Sequence, residues 1–171
     1  MTITAEEMAP GFAFCFVWQA DDSRAQADAI AYWTRVGNLP PDVSPEERAK
    51  ELVCIVRDDT GRLVGLGTGQ MGVIDQVRAR LAFLRGSIEP EHRRGRVGFA
   101  LMLFTRASME RWSAEHPEEK LAGFGGFMEA EELKERGRQP YWPMTRFGLV
   151  GYLDDGRQVR IGWFRDFRLD I

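Results

Sequence analysis

Cysteine and histidine are almost missing. Two cysteines, Cys15 and Cys54, and two histidines, His92 and His116, are spread over 171 residues. No CxxC, HExxH or HxH pair brings ligand-type residues together, so the sequence argues against a zinc centre and no metal is expected. Each cysteine lies in an apolar run, as buried free thiols do in a reducing, cytoplasmic setting. Long hydrophobic runs are lacking too. The longest early uncharged stretch, Met8 to Ala20, is too short to cross a bilayer. Glu6 and Glu7 precede it where a signal peptide would carry positive charge. It reads as a buried strand, and no membrane partner is expected. Lysine is scarce: only Lys50, Lys120 and Lys134 stand among 23 basic residues, and the net charge is -3. A general nucleic-acid binder shows the opposite balance, so nucleic acid is not expected and any anion site must be local. Two phosphate-binding patterns are absent, the GxxxxGK[ST] loop and the GxGxxG turn.

The chain contains 44% hydrophobic and 29% charged residues, ordinary for a globular domain. Its length suits one domain, residues 1–171. Gly11–Trp18 reads as a strand, followed by a helix over Ala25–Val36, capped by Asp22 or Ser23 and stopped by Gly37-Asn38. Ser44-Pro45-Glu46-Glu47 has the N-cap, N1 and N3 residues of a short helix running to about Glu51. Leu52–Arg57, Arg62–Ile74 and Leu81–Ile88 follow as strands, the first two joined by the turn Asp58-Asp59-Thr60-Gly61. Val97 to about Glu115 is the longest helix, and His116-Pro117 ends it. Lys120–Met128 is a strand and Ala130–Arg136 a short charged helix. Phe147–Leu153 and Val159–Phe167 form a hairpin about Asp154-Asp155-Gly156. The order predicts a mixed α/β domain.

One segment carries chemistry. From Ile88 to Leu101 a strand ends, a short basic loop follows and the longest helix begins. The first amides of a helix have no acceptor within it, and the helix dipole adds positive charge there. Gly95 and Gly98 let an anion approach the backbone, and Arg93, Arg94 and Arg96 add side-chain charge. Such a turn suits a phosphate or pyrophosphate; a plain turn with solvated arginines has the same local chemistry.

The segment resembles motif A of the GCN5-related N-acetyltransferases, V-x-P-x-x-R/Q-x-x-G-x-G/A. Ile88 matches the valine, Pro90 the proline, Arg93 the R/Q and Gly98 the last small residue. Arg96 replaces the first glycine, and Gly95 stands one place earlier. The element order is similar over about residues 10–168. The resemblance implies a single acyltransferase-like domain: a mixed, mostly antiparallel sheet, strands 4 and 5 splayed, about four flanking helices. It implies acetyl-CoA as co-substrate, without a metal, and direct acetyl transfer to a primary amine on a small molecule or peptide. Ser87 and Ile88 would meet the pantetheine arm. Arg93, Arg94, Gly95, Arg96, Val97 and Gly98 would hold the phosphates, with the 3′-phosphate of CoA an alternative target for Arg96.

The acid and base are less defined. The glutamate that histone-type members carry about six residues before the motif valine is Ala82 here. The tyrosine of a Y-x-x-x-G-F pattern falls on Met144, with Tyr141 three residues earlier, so Tyr141 is the candidate acid and Glu129 the candidate base or amine anchor. Trp142 reads as packing or pocket lining, and Glu89 is a further carboxylate beside the loop. Ala82 and Arg96 keep open a second reading, a non-catalytic module binding CoA or another small ligand. Trp163, Phe164 and Phe167 on the final hairpin suggest a sheet edge able to form a homodimer.

Overall fold

Prolines, glycines and short polar caps set the ends of the elements. In this computed structural model residues 4–93, 96–128 and 134–168 are described. Asp22 caps helix α2 (Ser23–Val36) by accepting from the Ala25 amide at 2.9 Å, and Gly37 closes it in the left-handed conformation, φ 67°. Ser44 caps α3 (Pro45–Ala49) with Pro45 in its first turn. A single turn, α1 (Ala5–Met8), precedes them, and α4 (Val97–Glu115) is the long helix.

The strands are β1 (Ala13–Phe16), β2 (Leu52–Arg57), β3 (Leu63–Ile74), β4 (Ala79–Ile88), β5 (Leu121–Met128), β6 (Tyr141–Trp142), β7 (Phe147–Tyr152) and β8 (Gln158–Trp163). They form one sheet in the order β1-β2-β3-β4-β5-β8-β7-β6. β4 and β5 run parallel, with register pairs from Arg80↔Leu121 to Phe83↔Gly125. The other recorded pairings are antiparallel. The mixed α/β class and the mostly antiparallel sheet expected from sequence are therefore present, with β6 as an additional short strand.

Three expectations need correction. Beyond the single turn α1, the described residues hold three α-helices, not about four: residues 129–133 lie outside the described residues, and Lys134–Arg138 forms a 3-10 turn. Cys15 is exposed, because β1 is an edge strand whose residues alternate out of contact. The aromatic strand of the final hairpin is not a sheet edge: β8, which carries Trp163, lies between β5 and β7, and Phe164 is buried.

The chain divides into two compact units, Met1–Gly69 with Arg85–Ser108, and Gln70–Leu84 with Met109–Ile171. In the first, Ala29, Trp33, Ile55 and Leu66 are part of the core beneath α2. On β2 the neighbouring Cys54 points the other way and bonds Thr105 of α4, so β2 is covered on both faces. Burial pushes the Cys54 thiol up to about 12, despite the Thr105 contact, so it stays neutral and unreactive. The second unit has a core of Ala79, Leu81, Ala122 and Ile161, with Phe83 and Trp163 packed against it. Each large side chain fully buried in these cores contributes roughly 1.5–3 kcal/mol. No helix among the described residues is long and apolar enough to cross a membrane.

Candidate active site

The end of β4, the loop after it and the start of α4 all belong to the first unit. Ile88 is the residue that joins them. A Cβ on Gly65 of β3 would run into the Ile88 side chain, and a Cβ on Gly98 of α4 would sit 3.7 Å from Ile88 Cγ1. The glycine in β3 therefore makes room for Ile88, and Ile88 seats the first turn of α4.

Glu89 fixes the backbone immediately afterwards. Its amide donates to the Val64 carbonyl at 2.9 Å, and its carbonyl accepts from the His92 amide at 3.0 Å. Its side chain is only 2% exposed and lies between two guanidinium groups. Arg35 of α2 donates to one carboxylate oxygen through Nε at 2.9 Å and Nη2 at 2.6 Å. Arg62 Nη2 reaches both oxygens at 2.8 Å, and Arg35 Nη2 also donates to the Leu63 carbonyl. Burial pushes the Glu89 carboxyl up, but the bonds from Arg35 and Arg62 outweigh it and hold the group below the usual glutamate range. A carboxylate held this way is a poor proton acceptor, so Glu89 is a structural anchor and not a base. Glu91 and His92 lie beside it in a cluster of metal-ligand types. Both Glu89 oxygens already accept from guanidinium groups, Arg35 and Arg62.

Ser87 is tied down from its other side. Its hydroxyl meets the buried Tyr32 hydroxyl at 2.7 Å and accepts from the Asn38 side-chain amide. Burial raises the Tyr32 pKa, so this phenol is neutral. Residues of α2 therefore grip two positions at the end of β4, Ser87 and Glu89.

Pro90 opens a 3-10 turn over Pro90–His92, and the Arg93 amide closes it on the Pro90 carbonyl at 3.3 Å. Arg93 then folds back, its Nε donating to the Ile88 carbonyl at 3.0 Å. A ligand amide aimed at that carbonyl would have to share it with Arg93. Arg94 and Gly95 lie outside the described residues. Arg96 is exposed, and its carbonyl accepts the first bond of α4, from the Ala100 amide at 2.8 Å. The amides of Val97, Gly98 and Phe99 precede that bond and have no acceptor within α4. Val97 is buried, whereas Gly98 is exposed.

The candidate acid Tyr141 belongs to the second unit. Tyr141 is 51% exposed on the short strand β6, its backbone paired with Gly148. Trp142 is buried beneath Arg160, whose guanidinium carbon lies 4.0 Å from the ring centroid. Trp142 is thus packing. Glu129 lies outside the described residues. Ala82 is fully buried on β4.

Sequence reasoning found the loop but missed its supports, Tyr32, Arg35, Arg62 and Gly65. Arg35 and Glu89 are 54 residues apart, so no local pattern joins them. Alternating glycines in β3 were the one available signal for Gly65.

No protein-family model matches the chain, and no curated protein sequence matches it. Solved structures do resemble it. A putative N-acetyltransferase from Lactobacillus plantarum superposes with a TM-score of 0.56 at 11% identity, covering 91% of this chain and 99% of the other. A GNAT-family acetyltransferase from Streptococcus pneumoniae gives 0.54 at 12% identity, over 89% and 99%. The ribosomal-protein-S5-alanine acetyltransferase of Vibrio fischeri gives 0.54 at 11% identity, over 93% and 96%. Together with the motif A resemblance at the β4–α4 turn, these likenesses show that the chain has the GCN5-related N-acetyltransferase fold.

Proposed function

We propose that the protein is an acyl-CoA-dependent N-acyltransferase, residues 1–171 working as one domain that moves acetyl from acetyl-CoA to a primary amine. The observation that carries this reading is the first turn of α4. It joins amides without a helical acceptor, an exposed Gly98 and the basic residues Arg93 and Arg96 on a backbone locked by Glu89 and Ile88. The fit is sterically permissive: among the described residues, the helix's own backbone aside, only the Ile88 side chain comes within 4 Å of where a Cβ on Gly98 would stand. A similar fold, AtaTR, has been solved with acetyl-CoA bound, at a TM-score of 0.55 and 12% identity.

In this proposal the amides of Val97 and Gly98, with Arg93, Arg94, Gly95 and Arg96, hold the pyrophosphate. Arg96, on the outer side of the turn, adds charge for a further phosphate. Ser87 and Ile88 present main chain to the pantetheine arm. Acetyl-CoA supplies the activated acyl group. The protein's task is positioning and proton handling, for the amine must react neutral. Glu129 takes the proton from the amine and Tyr141 supplies one to the departing thiolate.

Incubation with acetyl-CoA and a panel of amines tests this. Steady thiol release that requires an amine is expected, slowed about a hundredfold by Tyr141→Phe. CoA binding without turnover on any amine would favour the second reading, a non-catalytic binding module, which the buried Ala82 in place of a glutamate supports.

A further inference from the structure

The second unit carries a cavity of about 330 Å³ that the reading above does not use. That volume falls at the lower end for small-molecule sites. Its floor is aromatic: the rings of Phe83 and Phe127 stack with centroids 5.1 Å apart and planes 17° from parallel. The floor is built into the strands. A Cβ on Gly125 would stand 2.7 Å from the Phe83 ring, and one on Gly72 would stand 3.1 Å away. Both glycines leave the space that Phe83 fills, so the ring is fixed before any ligand arrives.

The walls remain exposed. Val73 and Tyr152 are 63% exposed, and Phe127 and Val150 are 45% exposed. Large apolar side chains left this open, on the alternate strands β3, β5 and β7 and around one hollow, mark a contact surface. Among the described lining residues one charged side chain is present, the carboxylate of Asp75, in the 3-10 turn that joins β3 to β4. The Arg157 guanidinium, 6.0 Å from the Phe127 ring centroid, is paired with Asp155 at 2.7 Å.

We infer that this cavity binds a small organic cation, an amine with an aromatic or branched aliphatic body. The body lies on Phe83 and Phe127, and the ammonium group faces Asp75. An acidic metabolite is disfavoured by the same carboxylate, and a polyamine would leave the apolar floor unused. That the bound amine is also the acetyl acceptor rests on the proposed function; the binding itself does not.

Titration of the full chain with 2-phenylethylamine, without acetyl-CoA, tests the site by calorimetry and by chemical-shift changes at Phe83 and Phe127. Binding is expected to exceed that of ethylamine, which lacks the body, and of 2-phenylethanol, which lacks the charge. Asp75→Asn should weaken the amine about fivefold and leave the alcohol unchanged. Phe127→Ala, at a half-exposed position, should weaken both about tenfold without loss of fold. Equal affinity for amine and alcohol would overturn the inference, as would shifts confined to other residues. A dimer that Phe127→Ala dissolves would also overturn it, because a second copy would then cover the surface. Binding without acetylation would leave the site standing and count against the amine as acceptor; acetylation without shifts here would do the reverse.

Discussion

Glu89 shows how one residue can look like chemistry and serve architecture. A glutamate beside a basic loop invites the role of base, but two arginines hold its charge. Glu89→Gln is expected to cost about 1–2 kcal/mol at pH 7. That is less than for a fully buried pair, because both guanidinium groups are half exposed. The sign of the pH dependence follows from the lowered pKa. The contribution is complete above the ordinary glutamate value of about 4.3 and is lost as pH falls through the lower value in the folded protein. Denaturant midpoints of the two proteins should therefore differ at pH 7 and converge below about pH 4. A gap that persists unchanged in acid would mean that the charge on Glu89 contributes nothing. Arg160 is the opposite case, a charge with no carboxylate among its recorded partners. It lies fully buried over Trp142, and its donors go to Gln158 and to the carbonyls of Gly137 and Gln139. Burial lowers its pKa.

At the scale of elements, glycine explains where sequence and structure diverge. Glycines of β3 and β5 accommodate side chains of this chain: Gly65 receives Ile88, and Gly72 and Gly125 receive Phe83. Gly65→Ala should destabilise the protein by about 1–3 kcal/mol, because the new methyl group displaces the end of Ile88. Ile88→Val removes that end, so the double variant should recover much of the loss in a denaturation cycle. Simple additivity of the two effects would show that the two side chains do not compete for one space. Local signals were legible: Asp22, Ser44 and Gly37 act as the caps their positions suggested, and Gly156 lies in the left-handed region at the final hairpin. The two-residue strand β6 was not legible, because it has too few residues for alternation to show. Nor was the grip of α2 on β4, made by residues distant in the chain.

For the whole molecule, the order of elements and one fourteen-residue segment pointed to the fold, and the strand order agrees with them. The chemistry was less legible. Phosphate cradles are recognisable locally because helix amides, small residues and arginines must be close in sequence. An acid and a base need only meet in space, and neither Tyr141 nor a glutamate is marked out by its neighbours. The scarcity of lysine and the acidic net charge fit an anion site confined to one turn. The central claim is that the turn from Arg93 to Gly98 holds the phosphates of CoA. Calorimetric titration with CoA, on the wild-type chain and on Gly98→Glu, tests it most directly. The account predicts saturable binding to the wild type, weakened at least about tenfold by the added carboxylate, with an unchanged denaturation midpoint. Equal affinity in both proteins, or no heat from the wild type at millimolar CoA, would contradict it.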